Sequence, residues 1–186
     1  MTTSSRLRKL ILTAHITASV GWLGTVACGF VLAVAGVTSS DSETVRASHV
    51  ALELLAWFAM VPLAVASLAT GVVQSLSSPW GLFRHYWVVA KLSINLFATL
   101  VLLLYLPTLR DLAAAASTPA EEIAQLDSLS PALHAGAALL ILGVATVLAV
   151  FKPSGLTPYG WRKQREQRAH GEGVAGRPRH LDSAGE

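Results

Sequence analysis

The stretch Arg84–Lys91, which reads RHYWVVAK, decides how the rest of the chain is interpreted. It opens an apolar run that continues through Leu106, and it carries ionisable side chains into that run. Because an ionisable group is costly to place in a membrane segment, its presence there marks a candidate functional site. The sequence therefore predicts both a membrane span and the polar residues inside it.

The composition of the chain favours lipid over water as its surrounding solvent. Hydrophobic residues make up 53% of the chain and charged residues 13%, and this charged share is about half that of a typical soluble domain. The formal charge of +3 comes largely from the two ends, and its distribution gives no indication of a nucleic-acid partner. Because Cys28 is the only cysteine, an intrachain disulfide and a cysteine-rich metal site are both excluded.

Four apolar runs are long enough to cross a hydrocarbon layer of ~30 Å. They predict spans at about 10–37, 49–76, 82–106 and 132–151. A polar arm at 1–9 precedes them, and a disordered basic tail at 153–186 follows. Pro79 suits the first turn of the third span, and Pro107 is expected to end that span. Thr118 begins a pattern typical of a short, capped surface helix.

The links between the spans and the placement of charge predict the topology. Short links imply antiparallel neighbours, and hence an all-α, four-helix transmembrane bundle with up-down-up-down topology. Lys and Arg are enriched in cytoplasmic links, so both termini are expected on the cytoplasmic side of a bacterial plasma membrane. This orientation places these basic residues inside: Arg6, Arg8, Lys9, Arg84, Lys152, Arg162, Lys163, Arg165 and Arg168. The outer links are mainly acidic.

Each predicted span has a face of small or polar side chains, which should turn toward the other helices because lipid offers such side chains no partner. On the second span this face includes Ser67, Gly71 and Gln74. On the third span Lys91 and Asn95 lie one helical turn apart. These two residues are predicted to belong to a polar seam inside the bundle.

Each predicted span also carries one histidine. Because alternate helices are diagonal in an up-down bundle, His15 would face His85, and His49 would face His134. Two facing imidazoles could supply both axial ligands to a haem iron, so haem b is a candidate cofactor. The predicted depths agree for His49 and His134. For the inner pair they differ by roughly 7 to 8 Å, at 1.5 Å of rise per residue.

The depth mismatch leaves a second interpretation of the inner half open. Lys91 would lie closer in depth to His15 than His85 does. An inner polar cluster of His15, Lys91 and Asn95 is therefore the alternative to an inner haem. A neutral lysine beside a histidine could relay protons, whereas a charged lysine would extend toward the cytoplasmic boundary.

The outer half also has a second interpretation. His49 and Glu53 are four residues apart and so share one helical face. His134 could complete a site of two histidines and one carboxylate for zinc, copper or iron.

Two short stretches carry a resemblance to known membrane proteins. Ala14-His15 with Gly21-Trp22-Leu23-Gly24, and Pro79-Trp80-Gly81 with the stretch Arg84–Lys91, make the region from about 10 to 152 similar to uncharacterised bacterial, often actinobacterial, families of four-helix integral membrane proteins. The histidine followed by Trp-Leu-Gly also resembles the first helix of copper resistance D membrane proteins. That second resemblance implies copper handling.

Three functional hypotheses follow from the sequence. The first is a haem-binding membrane redox protein that works with a membrane redox partner. The second is a cofactor-free structural or helper subunit, which would bind an assembly partner or a further copy of itself as a homo-oligomer in the bilayer. The third is a small transporter with Lys91 and Glu53 in its path. No motif for hydrolysis or nucleotide binding is present.

Overall fold

The computed structural model describes residues 5–78, 81–116 and 128–175, with side chains described as far as Arg168. The regular elements in these ranges are α1 (Ser5–Thr38), α2 (Ser42–Leu55), a π-helical turn (Ala56–Met60), α3 (Val61–Leu76), α4 (Tyr86–Ala115), α5 (Ser130–Phe151) and α6 (Pro158–Ala175). The prediction of an all-α fold is therefore confirmed for the part of the chain that the structure describes.

Four of the helical segments are long and apolar enough to cross a membrane. They are α1, the continuous helix Ser42–Leu76 formed by α2, the π-helical turn and α3, then α4, and finally α5. The shortest has 22 residues, which corresponds to about 33 Å at 1.5 Å per residue. Large apolar side chains point away from the bundle, with Phe58 79% and Phe151 77% exposed. Such an exterior suits contact with lipid rather than water.

The spans are longer than predicted, and the prediction that Pro107 ends the third span is wrong. Helix α4 continues through Pro107 to Ala115. A proline inside a helix lacks one N–H donor and crowds the carbonyl one turn earlier. Membrane helices tolerate this because local adjustments satisfy the freed backbone group. The predictions for Pro79 and for a helix starting at Thr118 lie outside the described residues.

The prediction of a disordered tail is wrong over Pro158–Ala175, which forms α6. Thr157 caps this helix, because its Oγ1 accepts a hydrogen bond from the Gly160 N–H at 3.1 Å. Pro158 then occupies the first helical position, where the missing N–H costs nothing. The local pattern of a capping threonine followed by proline thus marks the start of this helix.

Helix α2 begins with a similar cap. The Asp41 carboxylate accepts hydrogen bonds from the Thr44 hydroxyl at 2.7 Å and from the Thr44 N–H at 3.1 Å. These two bonds favour the charged carboxylate and lower the pKa of Asp41 below its usual value of 3.8. The carboxylate also lies at the positive end of the helix dipole.

The packing of the spans places polar residues of α1 against α3. Helix α1 packs against the helix Ser42–Leu76 and against α5, and α4 packs against the same two neighbours. Gly36, near the end of α1, lies against His49, near the start of α2. His15, near the start of α1, lies against Gly71, near the end of α3. The buried core between the helices includes these apolar side chains: Trp22, Val26, Leu52, Met60, Leu106 and Leu142.

Candidate functional site

A cavity of about 450 Å³ lies between α1, α3, α4 and α5. Its lining is mostly apolar, and a small set of polar side chains from all four helices converges on it. The polar lining residues within the helices are His15, Ser19, Ser67, Gln74, Ser75, Lys91, Asn95 and Thr146. Ser78 and Lys152 line the part of the cavity next to the ends of α3 and α5. An apolar pocket with a few convergent polar groups is the usual form of a small-molecule site.

The hydrogen bonds of His15 determine which of its ring nitrogens carries the proton. His15 is 8% exposed, and its Nδ1 lies 3.1 Å from the carbonyl oxygen of Ser67 and 3.2 Å from Thr70 Oγ1. The carbonyl oxygen can only accept, and the Thr70 hydroxyl already donates to the Ala66 carbonyl at 2.6 Å. Nδ1 must therefore be the donor. In a neutral imidazole Nε2 is then the acceptor.

Lys91 is the group that Nε2 of His15 faces. The Lys91 Nζ lies 3.2 Å from His15 Nε2, so the lysine donates this hydrogen bond. Among the side chains that the structure describes around the cavity, none is Asp or Glu. Lys91 thus faces an imidazole rather than a carboxylate. In its charged form, a half-buried lysine without an anionic partner is energetically costly in a membrane.

Asn95 extends the cluster by one turn of α4. Its Nδ2 donates to the Lys91 carbonyl at 2.9 Å, which orients its Oδ1 toward the hydroxyl of Ser67, 3.5 Å away. Ser67 is 1% exposed, and its hydroxyl bonds to that of Ser19 at 2.8 Å. This network joins α1, α3 and α4, and it orients the side chains on the cavity wall.

The structure brings together some of the predicted inner residues but not all of them. His15, Lys91 and Asn95 line one cavity. His85 lies at the N-terminal boundary of α4, where its backbone pairs with Leu156. Within the described lining of the cavity, His85 is not present. The group beside His15 is therefore Lys91, as the depth of the residues indicated.

The two outer histidines have separate surroundings. His49 is buried against α1, and its Nδ1 donates to the Val45 carbonyl at 2.8 Å. His134 is exposed and stacks on Tyr105, with ring centroids 4.1 Å apart. Its Nδ1 donates to the Ser130 carbonyl at 2.9 Å. In both neutral imidazoles Nε2 is left as the acceptor, the form that a metal ion binds.

The predicted metal site at His49, Glu53 and His134 is not assembled. Over the described ranges, no three His, Cys, Asp or Glu side chains approach closely enough to hold a metal ion. A second cavity of about 350 Å³ is lined by His134, Tyr105 and apolar side chains, and its described lining lacks His49 and Glu53. The described residues thus do not bring His49, Glu53 and His134 into one metal-binding group, although the first two share a helical face.

Sequence reasoning missed three residues that take part in the inner site. Thr70 and Ser19 were not recognised, although Thr70 lies one turn after Ser67 on the face already identified as polar. Trp22 lines both cavities. Its indole Nε1 is buried without a hydrogen-bond partner among the described residues. Nothing in the sequence distinguishes a tryptophan that lines a cavity from one that only packs between helices.

Four helices that are long and apolar enough to cross a membrane, with a polar cluster between them, are compatible with a multi-spanning membrane protein. Comparisons of the chain with protein-family models, with curated proteins and with solved structures gave no match. The resemblance to uncharacterised four-helix membrane families and to copper resistance D proteins therefore stays a prediction.

Proposed function

We propose that this protein binds the acidic group of a small, largely apolar molecule in the cavity around Lys91. The observation that carries the proposal is a lysine in a membrane cavity whose described lining contains no carboxylate. A carboxylate or phosphate of a ligand would supply the missing negative charge and accept charge-assisted hydrogen bonds.

The tautomer of His15 shapes this binding site. Because Nε2 accepts one hydrogen bond from Lys91, the ammonium retains two further N–H donors. The hydrogen bond to the imidazole, in place of one to bulk water, holds the Lys91 side chain at one position inside the cavity. The ligand would therefore meet a cation that is already positioned, which lowers the entropy cost of binding.

The rest of the cavity wall sets the character of the ligand. Leu12, Ile16, Leu92, Leu142 and Val150 are among the side chains that line it. Burial of apolar ligand surface against them is favourable at roughly 25 cal/mol per Å². An acid with a hydrocarbon portion fits both parts of the site better than a small inorganic anion would.

The contacts between the helices support the predicted up-down-up-down topology. The start of α1 meets the end of α3 at His15 and Gly71, and the end of α1 meets the start of α2 at Gly36 and His49. The basic residues of α6 and of the first turns of α1 would then lie on the cytoplasmic side of a bacterial plasma membrane. With this orientation, the cavity lies in the inner half of the bilayer.

The test uses the full-length protein in an uncharged detergent. Its thermal unfolding is measured with dodecanoate, dodecyl phosphate or dodecanol, which share one apolar chain and differ in the head group. We expect greater stabilisation by the acids than by the alcohol, with about 2.7 kcal/mol gained at an acid concentration one hundred times the dissociation constant. The comparison of the two acids shows whether the site prefers carboxylate or phosphate.

Two variants make this test specific. Lys91→Met should abolish the difference between the acids and the alcohol, because it removes the charge and keeps an unbranched side chain. Lys9→Met removes the same charge from an exposed position near the start of α1 and should leave the difference intact. Equal stabilisation by acid and alcohol, or an unchanged response of Lys91→Met, would contradict the proposal.

A haem-binding redox protein is the second candidate function. The observation that favours it is that Nδ1 of both His49 and His134 donates to a backbone carbonyl, which leaves each Nε2 ready to bind a metal. A reduced-minus-oxidised absorption spectrum of protein produced with haem available tests this function. A haem spectrum that His134→Ala removes would support it, and a blank spectrum from folded protein would reject haem b as the cofactor.

The remaining hypotheses have less structural support. In a small transporter Lys91 would line the path, but Glu53 is absent from the described lining of both cavities. Copper handling rests on the resemblance in α1 alone. A helper subunit that binds a membrane partner, or a homo-oligomer, remains the hypothesis if neither an acid nor haem binds.

A further inference from the structure

Helix α6 begins at a fixed position relative to the start of α4. The segment before α6 pairs with the segment before α4, since the Thr157 N–H donates to the Arg84 carbonyl at 3.0 Å and the Tyr86 N–H donates to the Gly155 carbonyl at 3.3 Å. Gly160 lies so close to the Arg84 carbonyl oxygen that a side chain there would overlap it. The first turn of α6 is therefore held against the bundle, a short distance past Phe151, where α5 ends.

One side of α6 carries an aromatic residue and two arginines. Trp161, Arg165 and Arg168 are spaced by four and three residues, so they lie on one face of the helix. All three are exposed, with Trp161 54% exposed. The buried Gly160, which contacts the bundle, lies on a different side of the helix, about 100° around the axis from Trp161. We name the exposed set Trp161, Arg165 and Arg168 the arginine stripe.

The arginine stripe has no acidic partner among the described residues. The ion pair that α6 does form joins Lys163 to Glu166 at 2.9 Å, on a different side of the helix. Residues 158–168 include four basic side chains and one acidic side chain. The stripe therefore presents unneutralised positive charge at one end of the bundle.

We propose that the arginine stripe binds the phosphate groups of anionic phospholipids at the cytoplasmic surface of the membrane. A guanidinium group matches the geometry of phosphate oxygens and can donate two parallel hydrogen bonds to them. The indole of Trp161 prefers the interface between head groups and acyl chains. Because α6 starts next to the end of a span, these side chains lie at the depth of the head groups.

This proposal is independent of the ligand in the inner cavity. It concerns residues on the surface of α6, none of which lines either cavity within the described lining. A soluble acidic protein would offer similar charges, but it would not account for an aromatic residue held at the membrane boundary. The experiment below separates lipid from protein as the partner, because it contains no other protein.

The full-length protein is reconstituted into lipid vesicles of phosphatidylcholine with increasing fractions of phosphatidylglycerol. Brominated lipids of each kind quench tryptophan fluorescence on contact, and the difference between the wild type and Trp161→Phe isolates the signal of Trp161. We expect quenching of Trp161 to rise with phosphatidylglycerol above its value in phosphatidylcholine alone. Quenching that is equal in both lipids would overturn the proposal.

Two double variants test whether the stripe itself is responsible. Arg165→Gln with Arg168→Gln should weaken the apparent affinity for phosphatidylglycerol by roughly tenfold or more, since each basic side chain near an anionic surface contributes several-fold to binding. Half-maximal quenching should therefore move to a higher phosphatidylglycerol fraction. Arg162→Gln with Lys163→Gln removes the same charge from other sides of α6 and should have a smaller effect. Equal losses in the two double variants would show diffuse attraction to the surface and reject a site at the stripe.

Discussion

Lys91 Nζ on α4 lies 3.2 Å from His15 Nε2 on α1, although the main neighbours of each of these helices are the other two spans. The contact thus crosses the diagonal of the bundle. Lys91 is the donor of this hydrogen bond, because the Ser67 carbonyl accepts a hydrogen bond from the other ring nitrogen of His15. One backbone carbonyl on α3 therefore determines how a lysine on α4 is held.

The contact predicts a measurable coupling between the two residues. His15→Ala and Lys91→Met, singly and together, should give non-additive changes in the free energy of unfolding in detergent. Residues in direct contact typically couple by about 0.5 to 3 kcal/mol. The pair His15→Ala with Lys9→Met should be additive, because the Lys9 side chain is exposed near the start of α1, away from the cavity lining. Additivity in both pairs would contradict the contact.

The close approach of α3 to the imidazole predicts a cost for a methyl group at Gly71. A Cβ atom there would lie 3.0 Å from His15 Cε1, so the imidazole must shift away from Ser67. We expect Gly71→Ala to destabilise the protein by about 1 to 3 kcal/mol, as overpacking does. Gly143→Ala is the matched control, because a Cβ atom at Gly143 meets nothing within 4 Å. The control should be neutral or gain up to about 1 kcal/mol from helix propensity, and thermal unfolding of both variants checks this.

The anchoring of α6 predicts different effects for two nearby glycines. Gly160→Ala places a methyl group on the Arg84 carbonyl oxygen and should release the first turn of α6. Gly155→Ala should be tolerated, because a Cβ atom there makes an ordinary contact of 3.5 Å with Tyr86. Amide hydrogen exchange of α6 measures the difference. Faster exchange is expected in Gly160→Ala only, and unchanged exchange in that variant would show that the anchor does not order the helix.

The cap of α2 predicts a dependence of stability on pH. Because hydrogen bonds from Thr44 lower the pKa of Asp41 in the folded state, the carboxylate stabilises the fold at pH values above its unfolded pKa near 3.8. That stabilisation is lost as the pH falls through the lower, folded-state pKa. The unfolding midpoint of the wild type should therefore decline in this acidic range more steeply than that of Asp41→Asn.

The control for this effect uses the capping ability of asparagine. Asp41→Asn keeps an N-cap acceptor that does not titrate, whereas Asp41→Ala removes the cap at every pH. Thermal unfolding of the three proteins, followed from neutral pH to below 3.8, gives the comparison. Parallel curves for the wild type and Asp41→Asn would rule out a contribution from titration of Asp41.

The existence of four spans could be predicted because it depends on the length and apolarity of continuous runs, which are local properties of the chain. Two predictions about the helices were wrong. Pro107 was expected to end the third span, a rule that holds better for helices in water than in a membrane. The tail was expected to be disordered because it has no apolar face. Thr157 and Pro158 form an N-terminal capping pattern that can be recognised in the sequence. The start of α6 could therefore have been predicted from these two residues.

For the candidate site, the sequence and the tertiary structure each determined a different part of the arrangement. The sequence by itself determined that His15, Lys91 and Asn95 lie at similar depths, because depth follows from counting residues along a helix. Only the tertiary structure decided that Lys91 meets Nε2 of His15. Packing against all neighbouring helices sets how each helix is rotated about its axis and how closely it approaches them. This rotation determines which side chains meet, and it cannot be obtained by counting residues along the helix.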